Sequence, residues 1–187
     1  MKLSHVLALA LVVALGAGLA VAAKAETIKS GPQVGEDLAG PFHPLNITGE
    51  KAGEKNCLYC SNGANPVAMI FARDVSPELA KLCKKIEGCC EKNSACKMGS
   101  FVVFCADAKD LEPRVKKMAR DNKLEKVVLS IDNPAGPKGY KVSRDADITV
   151  VLYVDRNVKA NHSFKKGELK DRDIEAIVKD VPKITKE

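Results

Sequence analysis

The chain carries seven cysteines. Cys57 and Cys60 form a C-x-x-C pair, and Cys89, Cys90 and Cys96 crowd one short later stretch. C-x-x-C is the spacing of exchangeable disulfides, because the two sulfurs reach each other across a single turn of chain. Two thiolates from this pair with two from Cys89, Cys90 or Cys96 would give zinc a tetrahedral set, although the second group lacks C-x-x-C spacing. In an oxidising compartment the same residues would act as structural bridges, and a bridge across a ~15-residue loop adds about 3 kcal/mol. Haem attachment is excluded, since Ser61 stands where C-x-x-C-H requires histidine.

The compartment decides which of these chemistries is open. Lys2 supplies a positive start, the run from Val6 to Ala23 is apolar, and Ala23-Lys24-Ala25 places small residues where a signal peptidase reads. Residues 1–25 are therefore predicted to be a cleavable signal peptide, with cleavage after Ala25 and a secreted or periplasmic product that has no membrane attachment after cleavage. Loss of Lys2 and Lys24 lowers the formal charge of +6 by two. The remaining basic residues alternate with acids, as in Lys109-Asp110 and Lys170-Asp171, a pattern of solvated faces rather than of nucleic-acid binding. The chain has no tryptophan, so it lacks a platform for stacked bases as well.

The elements that must position the cysteines follow from periodicity. Residues 26–55 are rich in Gly, Pro and charge, and predict an extended leader with a small hairpin and one short strand at Phe42–Ile47. VAMIFA, residues 67–72, is a continuous apolar run, the mark of a strand buried on both faces. Ser76 can cap the next helix, Pro77 suits its first position, and Leu79, Leu82, Cys83, Ile86 and Cys90 share one face. That helix is expected to end near Gly88, with Cys89, Cys90 and Cys96 in its last turn and the loop beyond. Strands follow at 101–105, 127–131 and 148–154, the last turning at Asp155-Arg156-Asn157 into a hairpin partner at 158–164. Helices are predicted near 111–122 and 171–181, the order of an α/β domain with a parallel part and an antiparallel end.

Two stretches resemble a known family. Residues 33–42, QVGEDLAGPF, followed by Leu45-Asn46-Ile47-Thr48-Gly49, are similar to the opening of the peroxiredoxin and TlpA-like redoxins of the thioredoxin superfamily. Tyr140 to Leu169 is similar to the stretch of those proteins that holds the hairpin strand and its turn. The resemblance implies a thioredoxin-like α/β fold over residues 56–187, with a central mixed sheet flanked by helices. It also implies where reactive cysteines would lie, and they are missing. Val75 and Glu78 stand where the thioredoxin-type pair would be, with Pro77 matching the proline between them. Ala80 replaces the peroxidatic cysteine in Ser76-Pro77-Glu78-Leu79-Ala80, and Ile148 replaces the cis-proline, so a trans peptide is expected there.

The topology of such a domain moves the cysteines elsewhere. A strand that runs up and a helix that returns bring the chain back to its starting end. Cys57, Cys60, Cys89, Cys90 and Cys96 should therefore share the pole opposite the family's usual site. The expected function is that of an extracytoplasmic redoxin-like domain without standard peroxidase or thioredoxin activity, whose cysteines are mainly structural; the alternatives are a working dithiol with Cys57 attacking and Cys60 resolving, which a protein partner or a protein disulfide substrate would suit, and a zinc site. No helix is predicted to start at Cys57, so nothing in the pattern favours a thiolate there. Cys83 and Cys105 fall at core positions and are expected to stay unpaired. His43 and His162 stand far apart with no catalytic motif around them. Asn46-Ile47-Thr48 and Asn161-His162-Ser163 match the glycosylation pattern.

Overall fold

The structure is a computed structural model that describes residues 28–185; the predicted signal peptide lies outside the described residues. In chain order it contains β1 (Leu45–Asn46), α1 (Leu58–Asn62), β2 (Val67–Ala72), α2 (Pro77–Lys92), a 3-10 turn (Ser94–Cys96), β3 (Gly99–Cys105), α3 (Leu111–Asn122), β4 (Val127–Asp132), β5 (Ile148–Val154), β6 (Asn157–Phe164), α4 (Asp171–Asp180) and α5 (Pro182–Thr185). One six-stranded sheet runs in the order β1-β4-β3-β2-β5-β6. Strands β2, β3 and β4 are parallel, whereas β1, β5 and β6 each pair antiparallel with their neighbours. This is the predicted thioredoxin-like mixed sheet, with β2 at its centre.

Each face of the sheet has its own apolar cluster. Ala68, Ile70, Val102, Phe104, Leu129, Val150 and Leu152 point to the face covered by α2, α3 and α4. The alternate residues Val67, Met69, Phe71, Phe101, Val103, Val151 and Tyr153 point to the other face, covered by Leu38, Phe42, α1 and Tyr140. The two parallel crossovers step in the same direction across the sheet, which sets both α2 and α3 on one side. The opposite side is left for the leader, which crosses to β6 through backbone bonds from Gly35 to Val158 and from Leu38 to Arg156.

Four local details depart from the sequence pattern. The first strand is only Leu45–Asn46, paired with β4 and closed by backbone bonds to Gly53 and Glu54. Helix α2 runs past Gly88 to Lys92, so Cys89 and Cys90 are helical and buried. Its interior glycine costs roughly 1 kcal/mol. That cost is offset by burial of the two thiols and by the end cap, where the amide and side chain of Asn93 both donate to the Cys89 carbonyl, at 3.0 and 2.8 Å. Helix α1 has no counterpart in the periodicity, being too short to show one. The C-terminal helix ends at Asp180, and a further short helix, α5, follows.

Candidate functional site

The pole where the parallel strands end is the one at which the sequence resemblance implies reactive cysteines. Ser76 caps α2 by accepting from the Leu79 amide at 3.1 Å, and Pro77 occupies the first turn. Val75, Glu78 and Ala80 offer no thiol, and Ile148 sits in a trans peptide, since the described residues contain no cis bond. The Arg73 guanidinium fills the centre of this pole. It donates to the carbonyls of Cys105 at 3.1 Å, Ser143 at 2.8 Å, Ala146 at 3.3 Å and Pro134, tying β2 and β3 to the loop that enters β5. A cavity of about 410 Å³ lies beside it, lined by Asp74, Arg114, Arg144, Asp147 and Lys166 among others. Arg114 there is engaged by Asp74 and Asp110. Burial pushes the Asp147 carboxyl up, against the pull of Lys166 and Arg73.

The opposite pole holds the displaced pair. Cys57 and Cys60 are joined by a disulfide with Cα atoms 5.2 Å apart. Contrary to the sequence reading, a helix does start here: Cys57 is the N-cap of α1, in extended backbone conformation, and its sulfur accepts from the Cys60 amide at 3.1 Å. The two residues differ in exposure, for Cys57 is 8% exposed while Cys60 lies at the surface. Tyr59, between them, is buried, and the Arg156 guanidinium stands 4.9 Å from its ring centre. Arg156 belongs to the β5–β6 turn, where Asp155 and Arg156 both adopt left-handed backbone, at φ 52° and 63°. That turn is pinned against the entry to β2 by the Asp155 amide, which donates to the Ala64 carbonyl at 3.0 Å. The Tyr153 hydroxyl, in the same cluster as Cys57 and Tyr59, has no hydrogen-bond partner among the described residues.

The other three cysteines of the group lie at the same pole but behind the sheet. Asn62 at the end of α1 packs so closely on Gly99 that a side chain there would collide with its carboxamide, which brings the two segments together. Cys57 nevertheless belongs to the cluster of the leader face, and Cys89 and Cys90 to that of the helical face. Cys83, Cys89, Cys90, Cys96 and Cys105 are free thiols. Burial pushes the Cys83 thiol up to about 12, helped by the Glu87 carboxylate. It does the same to Cys90, also to about 12, with Cys89 and Glu87 adding to the effect. Cys105 is likewise raised by burial to about 12, with Arg73 pulling the other way. Cys96 is half-buried and its thiol donates to the Asn93 carbonyl at 3.2 Å. Among the described residues no three His, Cys, Asp or Glu side chains converge on one point.

Sequence reasoning missed three groups that shape the two poles. Arg73 carried no visible signal, because its partners are carbonyls distant in the chain. Glu87 did carry one, for it stands four residues after Cys83 on the apolar stripe of α2. Its buried carboxylate accepts from the amides of Glu125 and Lys126 at 2.8 Å and of Val127 at 3.0 Å. Arg156 was legible only as part of a turn. Of the histidines, His43 is exposed and His162 bonds Asp180 at 3.0 Å. Asn46 is 2% exposed and Asn161 is bonded to the Ser30 and Pro32 carbonyls, so neither glycosylation pattern presents a free side chain.

No protein-family profile matches this sequence, and no curated protein matches it. Solved structures do. A provisionally assigned protein disulfide isomerase from Bacteroides thetaiotaomicron superposes with a TM-score of 0.64 at 17% identity, over 86% of this chain and 96% of that one. A provisionally assigned thiol:disulfide interchange protein DsbE from Chlorobium tepidum gives 0.57 at 18% identity, over 83% and 96%. A thiol peroxidase from Chromobacterium violaceum gives 0.54 at 16% identity, over 82% and 88%. The fold is that of the thioredoxin-like redoxins, with a C-x-x-C disulfide at Cys57 and Cys60 on the pole away from Ser76 and Pro77.

Proposed function

We propose that this protein is an exported thiol-disulfide exchange protein that works through Cys57 and Cys60, and that it has no peroxidase activity. The observation that carries the reading is a C-x-x-C disulfide with one sulfur at the surface and a backbone N–H on the other. Two further points support it. A bridge closing so short a loop constrains the unfolded chain by only about 2 kcal/mol on the chain-entropy account, which makes it a weak staple. The thiols that could have made longer staples, Cys89, Cys90 and Cys96, are unpaired. Export rests on the apolar N-terminal run and its small-residue exit. Among the described residues no helix is long and apolar enough to cross a membrane. The substrate would be a protein disulfide or dithiol.

Turnover of insulin disulfides with dithiothreitol as reductant tests this. The wild-type protein should accelerate insulin precipitation over the uncatalysed rate, and Cys57→Ser and Cys60→Ser should each abolish the acceleration. Hydrogen peroxide consumption should stay at background, because Ser76-Pro77-Glu78-Leu79-Ala80 offers no thiol. An oxidised pair that leaves insulin untouched would instead favour a structural bridge on a binding module. Peroxide turnover would point to one of the other thiols.

A further inference from the structure

We propose that Cys60, the second cysteine of the pair, is the sulfur that exchanges with outside thiols, and that Cys57 is the leaving and resolving sulfur. This rests on the exchange reading above and reverses the roles that chain order suggests. Displacement at a disulfide proceeds in line: the incoming thiolate approaches the attacked sulfur from the side opposite the sulfur that leaves, so access to that far side selects the target. Cys60 is at the surface, and a thiolate can reach it from solvent. Cys57 is 8% exposed and belongs to the apolar cluster of Leu38, Phe42, Leu58 and Tyr59, so the line of attack on its sulfur runs through packed side chains.

The second observation concerns the leaving group. When a thiolate R–S⁻ bonds to the Cys60 sulfur, the bond between Cys60 and Cys57 breaks and its electron pair stays on Cys57. The Cys60 amide, already 3.1 Å from that sulfur, is in place to donate to the charge as it forms. No comparable donor is aimed at the Cys60 sulfur among the described residues. Cys57 then takes a proton from solvent. A second thiol of the same substrate attacks the R sulfur, forms the substrate disulfide and releases Cys60 as a thiolate. Two substrate thiols are oxidised and two cysteines reduced. In reverse, reduced Cys60 attacks a substrate disulfide, and Cys57 displaces the substrate from the mixed disulfide.

The neighbourhood holds this asymmetry in place. Arg156 covers Tyr59, the residue between the cysteines, from a turn in which two consecutive non-glycine residues are left-handed. Left-handed backbone at both positions is the geometry a two-residue hairpin turn requires, and the turn is also bonded to Ala64 and to the leader at Leu38. Tyr59 is thereby kept inside and Cys60, the next residue, faces out.

Trapping with oxidised glutathione separates the two roles. Reduced Cys57→Ser and Cys60→Ser proteins, each lacking the signal peptide, are mixed with the probe, quenched in acid and mapped by peptide mass. Cys60 in the first variant should gain glutathione at least tenfold faster than Cys57 in the second. The wild-type disulfide opened by reduced glutathione should carry the adduct on Cys60, which gives the same answer without a substitution in the buried position. Faster or equal modification of Cys57 would overturn the assignment while leaving the exchange reading intact. Modification of neither residue, with the wild-type disulfide unopened, would overturn both.

Discussion

At the residue scale, seven cysteines of one chemical type are sorted by surroundings into three behaviours. Cys57 and Cys60 are bonded, Cys96 is half-buried and free, and Cys83, Cys89, Cys90 and Cys105 are free but buried. A thiolate, not a thiol, attacks an alkylating reagent, so a thiol raised to about 12 by burial is both unreachable and uncharged at pH 8. Iodoacetamide at pH 8 should therefore label Cys96 first on the oxidised native protein. Cys83, Cys90 and Cys105 should label only when urea unfolds the chain, as read by peptide mass against time. The core placement of Cys83 and Cys105 was legible from their positions on an apolar stripe and in an apolar strand. The bonding of Cys57 to Cys60 was legible only as one option of three, because spacing limits which sulfurs can meet and does not say which do.

At the scale of elements, one carboxylate ties a helix to the sheet by three hydrogen bonds. Glu87 lies on the buried side of α2 and is 2% exposed, and it receives the three amides that open β4. Removing it would leave those amides without partners in an apolar setting, at roughly 1–3 kcal/mol for each group left unpaired and inaccessible to water. Glu87→Ala is expected to lower stability by about 3 kcal/mol or more, read as a shift of the urea midpoint at unchanged slope. A shift under ~1 kcal/mol would mean that water enters and replaces the carboxylate. The same residue explains why α2 outlasts Gly88: its carboxylate and the thiols of Cys89 and Cys90 are on the buried side, so ending the helix early would expose all three. Strands β2, β3 and β5 and the three long helices were legible because each carries a period over many residues. Helix α1 was not, since five residues make little more than one turn and its capping group is a cysteine sulfur rather than a serine or aspartate.

At the scale of the whole molecule, long-range polar contacts close what the sheet leaves open. Arg73 draws together carbonyls from three separate segments at one pole, and the His162–Asp180–Lys183 group joins β6 to the C-terminal helices. Burial alone would raise the Asp180 carboxyl, but hydrogen bonds from Lys183 and His162 outweigh it and hold the group below its ordinary value. A carboxyl whose folded pKa is depressed contributes stability that is fully present above its unfolded pKa, here about 4. That contribution is lost as pH falls through the folded value. Asp180→Asn should lower the urea midpoint at pH 7 and narrow its difference from the wild type as pH drops from about 5 towards 2. A difference that stays constant over that range would assign the effect to packing instead of charge.

By itself, the sequence determined the alternation of strands and helices, the buried centre at Val67–Ala72, the loss of thiols around Pro77 and the gathering of five cysteines at one pole. Each of these follows from local periodicity, from residue identity at a motif, or from the rule that a returning helix ends where its strand began. The tertiary structure alone decided that the sheet divides those five cysteines between two faces, that Cys60 and not Cys57 meets solvent, and that Arg73 fills the other pole. The physical reason is one of range. A side chain's periodicity is written within a dozen residues, whereas its exposure and its hydrogen-bond partners depend on segments 30 to 130 residues away, as Arg73 with Cys105 and Asn161 with Ser30 show.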